Sequence, residues 1–265
     1  MSTFVIPDCH GNWKLVLGLL EQEGLIEDQL DFPPKRIGHD ATIIQLGDLC
    51  NCVVSSINDD LMALKLVGPI IDVYLVGNHE HPYFGGLPFD GFGPFAELKN
   101  ELFKLNDRGF IKAAHEVDGI MLSHAGVTVS ANGIETWHTD NKAKEFADSL
   151  NTLWRANRFD HSMFSAIGHS RGGLCPEGGI LWSDWREQKT RQFPQIFGHT
   201  VGQTWRSTSP QNGEPYFLLD RPYENATPLP VQSLCIDIGA DKKTKSILGC
   251  WIDSGKVSLI EYDRS

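Results

Sequence analysis

Five short apolar runs in this chain each stop at a glycine-bearing turn that also carries a carboxylate, a carboxamide or an imidazole. Phe4-Val5-Ile6 leads into Asp8-Cys9-His10-Gly11, Thr42 to Leu46 into Gly47-Asp48, and Asp72 to Val76 into Gly77-Asn78-His79-Glu80. Ile120 to Ser123 leads into His124-Ala125-Gly126, and Gln195-Ile196-Phe197 into Gly198-His199-Thr200. Helical periodicity fills the intervals at about residues 13–22, at 61–67 as the end of a helix, and at 95–105. Short apolar strands alternating with helices predict a mainly β-α-β sheet covered on both faces. Such sheets place ligands outside the carboxyl ends of their strands, so the five turns are positioned to converge on one crevice. One such turn alone means little, because Asp, Asn and Gly are ordinary turn residues. Five with this chemistry point to a site.

The second half of the chain has a different texture. A helical segment at about 142–154 precedes a loop-rich stretch through 168–179, and then β-rich runs occupy 216–219, 233–238, 247–252 and 256–262. Asp253-Ser254-Gly255 separates the last two as a hairpin turn. This predicts a second, more antiparallel sheet packed on the first, within a single domain spanning 1–265. A chain of 265 residues with 41% hydrophobic residues can bury such a core.

Lys and Arg number 23 against 34 Asp and Glu, a formal charge of −11. That balance argues against nucleic acid or an anionic membrane as partner. A phosphorylated substrate stays compatible with it where metal ions neutralise the site. No apolar run reaches the roughly 18 residues of a membrane span, and the start of the chain lacks a basic leader, so a cytoplasmic protein is expected. The six cysteines contain no CxxC pair, and they read as reduced, mostly buried thiols.

The turns collect Asp8, His10, Asp48, Asn78, His124 and His199. Carboxylate, imidazole and amide oxygen suit hard-to-borderline divalent metals such as Mn, Fe or Zn, with Mg also possible; missing thiolates argue against a structural zinc. Two such ions about 3.5–4 Å apart can activate water and hold phosphoryl oxygens in line.

The five motifs in this order resemble the signature of the metallophosphoesterase (calcineurin-like) superfamily. They are most similar to the phosphoprotein phosphatase group and its bacterial, phage and diadenosine tetraphosphatase-like relatives. Leu181-Trp182-Ser183-Asp184 and Ile236-Asp237-Ile238-Gly239-Ala240 add family-like segments, and the resemblance runs from about residue 4 to 262. It implies an α/β sandwich of two facing mixed β-sheets flanked by helices, holding two divalent metal ions, manganese first among them. In matched positions, Asp8 and His10 would ligate the first metal, Asp48 would bridge, and Asn78, His124 and His199 would complete the second. His79 would act as general acid while a metal-bridging hydroxide attacks phosphorus. Glu80 and Gly11 would be structural, and Asn12 would lie near the first metal or stabilise its turn. The implied activity is serine/threonine phosphoprotein phosphatase-like phosphomonoester hydrolysis. The alternatives are a dinucleoside polyphosphate hydrolase or phosphodiesterase, and a non-catalytic binding protein on the same fold.

Gly47-Asp48-Leu49-Cys50-Asn51-Cys52-Val53 departs from the family pattern G-D-x-x-D-R-G. Asn51 stands where a carboxylate would orient His79, and Cys52 where an arginine would grip phosphate. An uncharged Asn51 lowers the protonated fraction of His79 at neutral pH. Arg171 and Arg186 are the candidate replacements for the missing phosphate clamp. His81 and His169 are further candidates for reaching substrate, whereas His39, His115, His138 and His161 read as surface residues. Pro82 to Gly93, rich in aromatic residues, glycine and proline, is either a packed loop or a wall beside the substrate.

Overall fold

Alternation along the first strand sets the layering. In β1 (Thr3–Ile6), Phe4 and Ile6 enter one apolar cluster and Val5 another, so both faces of the strand are covered. The computed structural model describes residues 2–27, 34–37, 40–50, 56–88, 93–128, 142–187, 192–202, 204–211, 216–220, 228–239 and 245–264. The strands following β1 are β2 (Thr42–Gln45), β3 (Val73–Leu75), β4 (Ile111–Lys112), β5 (Ala114–Val117), β6 (Ile120–Ser123), β7 (Gln195–Phe197) and β8 (Arg206–Thr208). β9 (Phe217–Asp220), β10 (Leu229–Val231), β11 (Ser233–Cys235), β12 (Ser246–Asp253) and β13 (Lys256–Asp263) complete them. One sheet has eight strands in the order β10-β9-β13-β12-β1-β2-β3-β4, the other five in the order β5-β6-β7-β11-β8.

Val5, Ile44 and Leu75 from the first sheet meet Leu122, Ile196 and Leu234 from the second in the shared interior. The outer faces carry the helices α1 (Trp13–Gln22), α2 (Ile57–Leu66), α3 (Ala96–Asp107) and α4 (Lys142–Arg155), with the short α5 (Ser162–Ser165) beyond. Leu15, Leu19, Ala63, Leu98, Leu102, Phe146 and Leu150 bury against Phe4, Ile43, Tyr74 and Met121 there. Ser56 starts α2 with a capping box, exchanging hydrogen bonds with Asp59.

The allocation of strands differs from the sequence expectation. The two sheets do not follow the two halves of the chain. β12 lies antiparallel to β1, Phe4 opposite Trp251, which brings β13, β9 and β10 into the first sheet. β6, expected in the first sheet, pairs parallel with β7 in the second. Hydrophobic alternation fixes which face a strand buries but not which neighbour it takes. The β12–β13 hairpin closes through Ser254 and Gly255, whose φ values of 51° and 75° suit a tight two-residue turn.

Candidate metal centre

β1, β2 and β3 run parallel, and so do β6 and β7. The expected turns therefore leave the same ends of their strands. They are stitched together: the backbone N–H groups of Cys9 and His10 donate to the Asp48 carbonyl, and that of Gly198 to the His124 carbonyl. The N–H of His199 donates to Asp8 Oδ2 at 3.0 Å and ties the second sheet to the first.

Four donors from four turns meet at one point. His124 Nδ1 lies 3.0 Å from the Leu46 carbonyl, so Nδ1–H donates there and Nε2 keeps its lone pair. Around Nε2 stand Asn78 Oδ1 at 2.9 Å, His199 Nδ1 at 3.0 Å and Asp48 Oδ2 at 3.5 Å. Donors bonded to one cation at about 2.0–2.2 Å sit roughly 3.0–3.5 Å from one another, so this quartet fits a divalent ion. On the other side His10, Asp48 and His79 bring ligand atoms within 4.8 Å of one another. The resemblance expects Asp8 there with His10, and His79 outside the ligand set. Asp8 accepts the His199 N–H on Oδ2, while its buried Oδ1 has no hydrogen-bond partner among the described residues and lies 3.9 Å from His124 Nδ1. His10 Nδ1 is likewise buried without a hydrogen-bond partner. These orphaned acceptors fit a second cation.

The polypeptide alone disfavours charge at this centre. Burial, then the charges of Asp237 and Asp48, pushes the Asp8 carboxyl well above the usual range. Burial, then Glu80, does the same to Asp48. Burial and the neighbouring His79 push His10 down to about 3, and burial foremost drives His124 and His199 well below the ordinary imidazole value. Neutral imidazoles beside crowded carboxylates are the form in which such groups bind metal.

Close backbone approach makes the crowding possible. A β-carbon at Gly77 would stand 2.1 Å from Asp48 Oδ1, and one at Gly198 would stand 2.0 Å from Asp8 Oδ1. Each glycine backs one carboxylate. His10, Asp48 and His199 adopt left-handed φ values of 49°, 52° and 64°. Such strain in non-glycine residues gathers at functional sites.

Glu80 braces the turns. Its Oε2 accepts the N–H groups of Asp48 and Gly77, each at 2.9 Å, and its Oε1 accepts the Cys50 N–H at 3.2 Å. Cys9 is buried with its thiol toward the Leu49 carbonyl, away from the donors, as strand alternation predicts. His79, 15% exposed at its side chain, opens the cluster to solvent, with Nε2 3.7 Å from Asp48 Oδ2.

Other expected residues fall elsewhere. Arg171 donates through Nη2 to the His199 carbonyl at 3.2 Å and to Thr200 Oγ1 at 2.8 Å, which places its cation beside the ligands. Arg186 donates instead to Asp184 and the Ser170 carbonyl. His81 is fully buried against Trp154 and Phe164 with Nε2 on the Phe159 carbonyl, so it cannot reach substrate. Tyr83 and Phe84 belong to the core, which makes that part of the aromatic stretch a packed loop. His115, expected at the surface, is half-buried and pushed down to about 4, chiefly by burial. Asn51, Cys52, His39 and His138 lie outside the described residues. Sequence reasoning assigned no role to Asp237, a buried carboxylate just past β11 that acts on both Asp8 and Asp48. Its strand-end position is the signal that could have found it.

No family model and no curated protein matches this chain. Solved structures do. A cold-active protein tyrosine phosphatase of a psychrophile, Shewanella sp., is 13% identical with a TM-score of 0.59, over 100% of this chain and 80% of that one. A candidate diadenosine tetraphosphatase is 11% identical with a TM-score of 0.50, over 100% of this chain and 95% of that one. At 11–13% identity the likeness is one of fold, an α/β sandwich of two mixed sheets flanked by helices. Its two mixed sheets and flanking helices agree with the architecture that the resemblance implied. No helix among the described residues is long and apolar enough to cross a membrane.

Proposed function

We propose that this chain is a dinuclear metal-dependent phosphoesterase, a single domain over residues 1–265. The observation that carries the reading is the convergence of Asp48 Oδ2, Asn78 Oδ1 and His199 Nδ1 on His124 Nε2, within 2.9–3.5 Å. These residues would hold one divalent ion; Asp8, His10 and Asp48 would hold the other, with Asp48 shared. A bound pair of such ions supplies Lewis acidity that ionises water near neutral pH and draws charge from phosphoryl oxygens. Manganese is the first ion to test, and the cytoplasm the compartment.

The chain's own groups supply the rest. Arg171, fixed by His199 and Thr200, holds a phosphate oxygen. His79 is held at the mouth by its backbone N–H, which donates to Asp48 Oδ1 at 2.9 Å, and it delivers the proton to the leaving oxygen. By the resemblance, Asn51 would take the orienting role that the family gives to a carboxylate. Phosphomonoesters, phosphoproteins of the serine/threonine type included, are the first substrates. Phosphodiesters and dinucleoside polyphosphates form the second reading, which the pairing of Arg171 with Asp184 favours because it leaves less positive charge for a dianion.

Product analysis on a phosphopeptide, diadenosine tetraphosphate and a bis-aryl phosphate, with two equivalents of Mn²⁺ bound, tests the reading. Hydrolysis of one or more, lost in Asp48→Asn, is expected. Inactivity on all three at full metal loading would replace the enzyme with a binding protein on the same fold.

A further inference from the structure

Behind Arg171 lies a carboxylate that the hydrolytic chemistry does not require. Asp184 is 4% exposed, and its Oδ2 stands 3.4 Å from Arg171 Nε. Its Oδ1 accepts the backbone N–H of Arg186 at 3.0 Å and the Nε–H at 2.7 Å. The arrangement is braced from below by Glu187, a buried carboxylate that accepts the N–H groups of Ser170 at 3.1 Å, Gly178 at 2.8 Å and Asp184 at 3.3 Å. A β-carbon at Gly168 would stand 2.4 Å from that carboxylate, so this glycine lets the Arg171 loop close on it. Arg171 is thus clamped between Asp184 on one side and the His199–Thr200 turn on the other.

Burial works against an ionised Asp184. Hydrogen bonds from Arg186, with the charges of Arg171 and Arg186, outweigh it and hold its pKa below the usual carboxylate value. The carboxylate is therefore charged at neutral pH. Arg186 is 69% exposed at its side chain and its charge is screened by solvent, whereas Asp184 and Arg171 face each other in partial burial.

We propose that Asp184 is a charge-selectivity residue: by partly neutralising Arg171 it disfavours a phosphomonoester dianion relative to a phosphodiester monoanion. The proposal rests on the phosphoesterase reading of this site. A carboxylate behind the phosphate-holding cation repels a dianion about twice as strongly as a monoanion at the same place, because Coulomb energy scales with charge. Asp184→Asn keeps an acceptor for Arg186 and removes the charge.

The experiment compares 4-nitrophenyl phosphate with bis(4-nitrophenyl) phosphate, which share a leaving group, on the Mn²⁺-loaded protein. Asp184→Asn is expected to raise kcat/KM for the monoester relative to the diester by about tenfold, or roughly 1.4 kcal/mol, mostly through KM. Arg186→Gln, which removes one cation that competes with Arg171 for Asp184, shifts the ratio the opposite way. A ratio that rises in both variants, or stays fixed in Asp184→Asn, overturns the proposal, since loosening of the loop gives no such opposed signs. Binding of sulfate and methyl sulfate, followed by calorimetry, measures the same preference without turnover. If wild type hydrolyses neither ester, the phosphoesterase reading falls. The sulfate-to-methyl-sulfate affinity ratio then decides the Asp184 proposal: a rise in Asp184→Asn supports it and an unchanged ratio overturns it.

Discussion

Replacing Glu80 by Gln tests whether the centre is held from beneath by one carboxylate. Glu80 is fully buried and receives three backbone N–H groups, those of Asp48 and Gly77 on Oε2 and that of Cys50 on Oε1. A glutamine is nearly isosteric, but it offers one oxygen and an amino group that cannot accept. With the oxygen toward Asp48 and Gly77, the Cys50 N–H faces another donor; turned the other way, two N–H groups do. Hydrogen bonds to charged groups contribute about 1.5–3 kcal/mol, and a stranded buried donor costs about 1–3 kcal/mol, so a loss near 3 kcal/mol is expected. Urea unfolding of the metal-free protein gives that figure directly, with an unchanged m-value as the sign that only native stability moved. Mn²⁺ affinity falls as well, because Asp48 sits in a left-handed conformation that the hydrogen bond from its N–H to Glu80 helps to hold. Glu101→Gln is the control, since that side chain is 39% exposed and pairs with an exposed lysine in the next turn of α3. A Glu80→Gln protein within about 0.5 kcal/mol of wild type, the range of ordinary surface changes, would refute the brace.

Gly198→Ala puts a β-carbon 2.0 Å from Asp8 Oδ1, forcing a shift of over 1 Å and breaking the bond from His199 N–H. Mn²⁺ binding measured by calorimetry should weaken at least tenfold while the circular dichroism spectrum persists, and unchanged affinity sinks the idea. His81 is pushed down to about 4, mainly by burial, so the unfolded chain takes up its proton before the folded one does. Stability attributable to it is present above about pH 6.5 and lost toward pH 4, roughly 3 kcal/mol in all. His81→Gln should flatten that slope relative to wild type, and parallel pH–stability curves contradict it. Saturating metal should raise the unfolding free energy by about 2.7 kcal/mol at a hundredfold excess over Kd, and the rise should vanish in Asp48→Asn. Asn51→Asp should raise turnover above pH 7 by keeping His79 protonated; an unaltered pH–rate profile removes Asn51 from that role.

The chemistry was legible where it interrupts a pattern. An apolar strand that stops in Asp-Cys-His-Gly, or in Gly-Asn-His-Glu, breaks its own periodicity with residues that bring no packing, and the break is visible in one dimension. The helices were legible for a similar reason: α1 has the bounds its periodicity predicts, and α3 and α4 shift by one or two residues. Partnership was not legible. The β12–β13 hairpin reads the same whichever sheet it joins, and only its antiparallel register on β1 settles the matter. Buried carboxylates were the second blind spot. Glu187 and Asp237 look like surface residues in a row of letters, since what marks them is the backbone N–H groups or the neighbouring charges they face. His81 misled in the opposite direction. It sits two residues from His79, yet the short helical turn His81–Phe84 swings it into the aromatic core, where a β-carbon on Gly86 would strike its ring.

Local energetics and site geometry pull against each other throughout the centre, and that opposition says what the fold is organised around. Three of its residues, His10, Asp48 and His199, occupy left-handed backbone conformations, each costing about 1–2 kcal/mol outside glycine. Asp8, Asp48 and Asp237 are buried within each other's influence, and the imidazoles beside them are driven to the neutral form. A chain selected only for stability would relax such a cluster with apolar side chains, as buried charge is seldom a net gain. Here the strands, the two close-packed glycines and the Glu80 brace all act to keep the donors together instead. Cations reverse the balance, since the proximity that makes the carboxylates repel one another is also what gives a shared positive charge several partners at once.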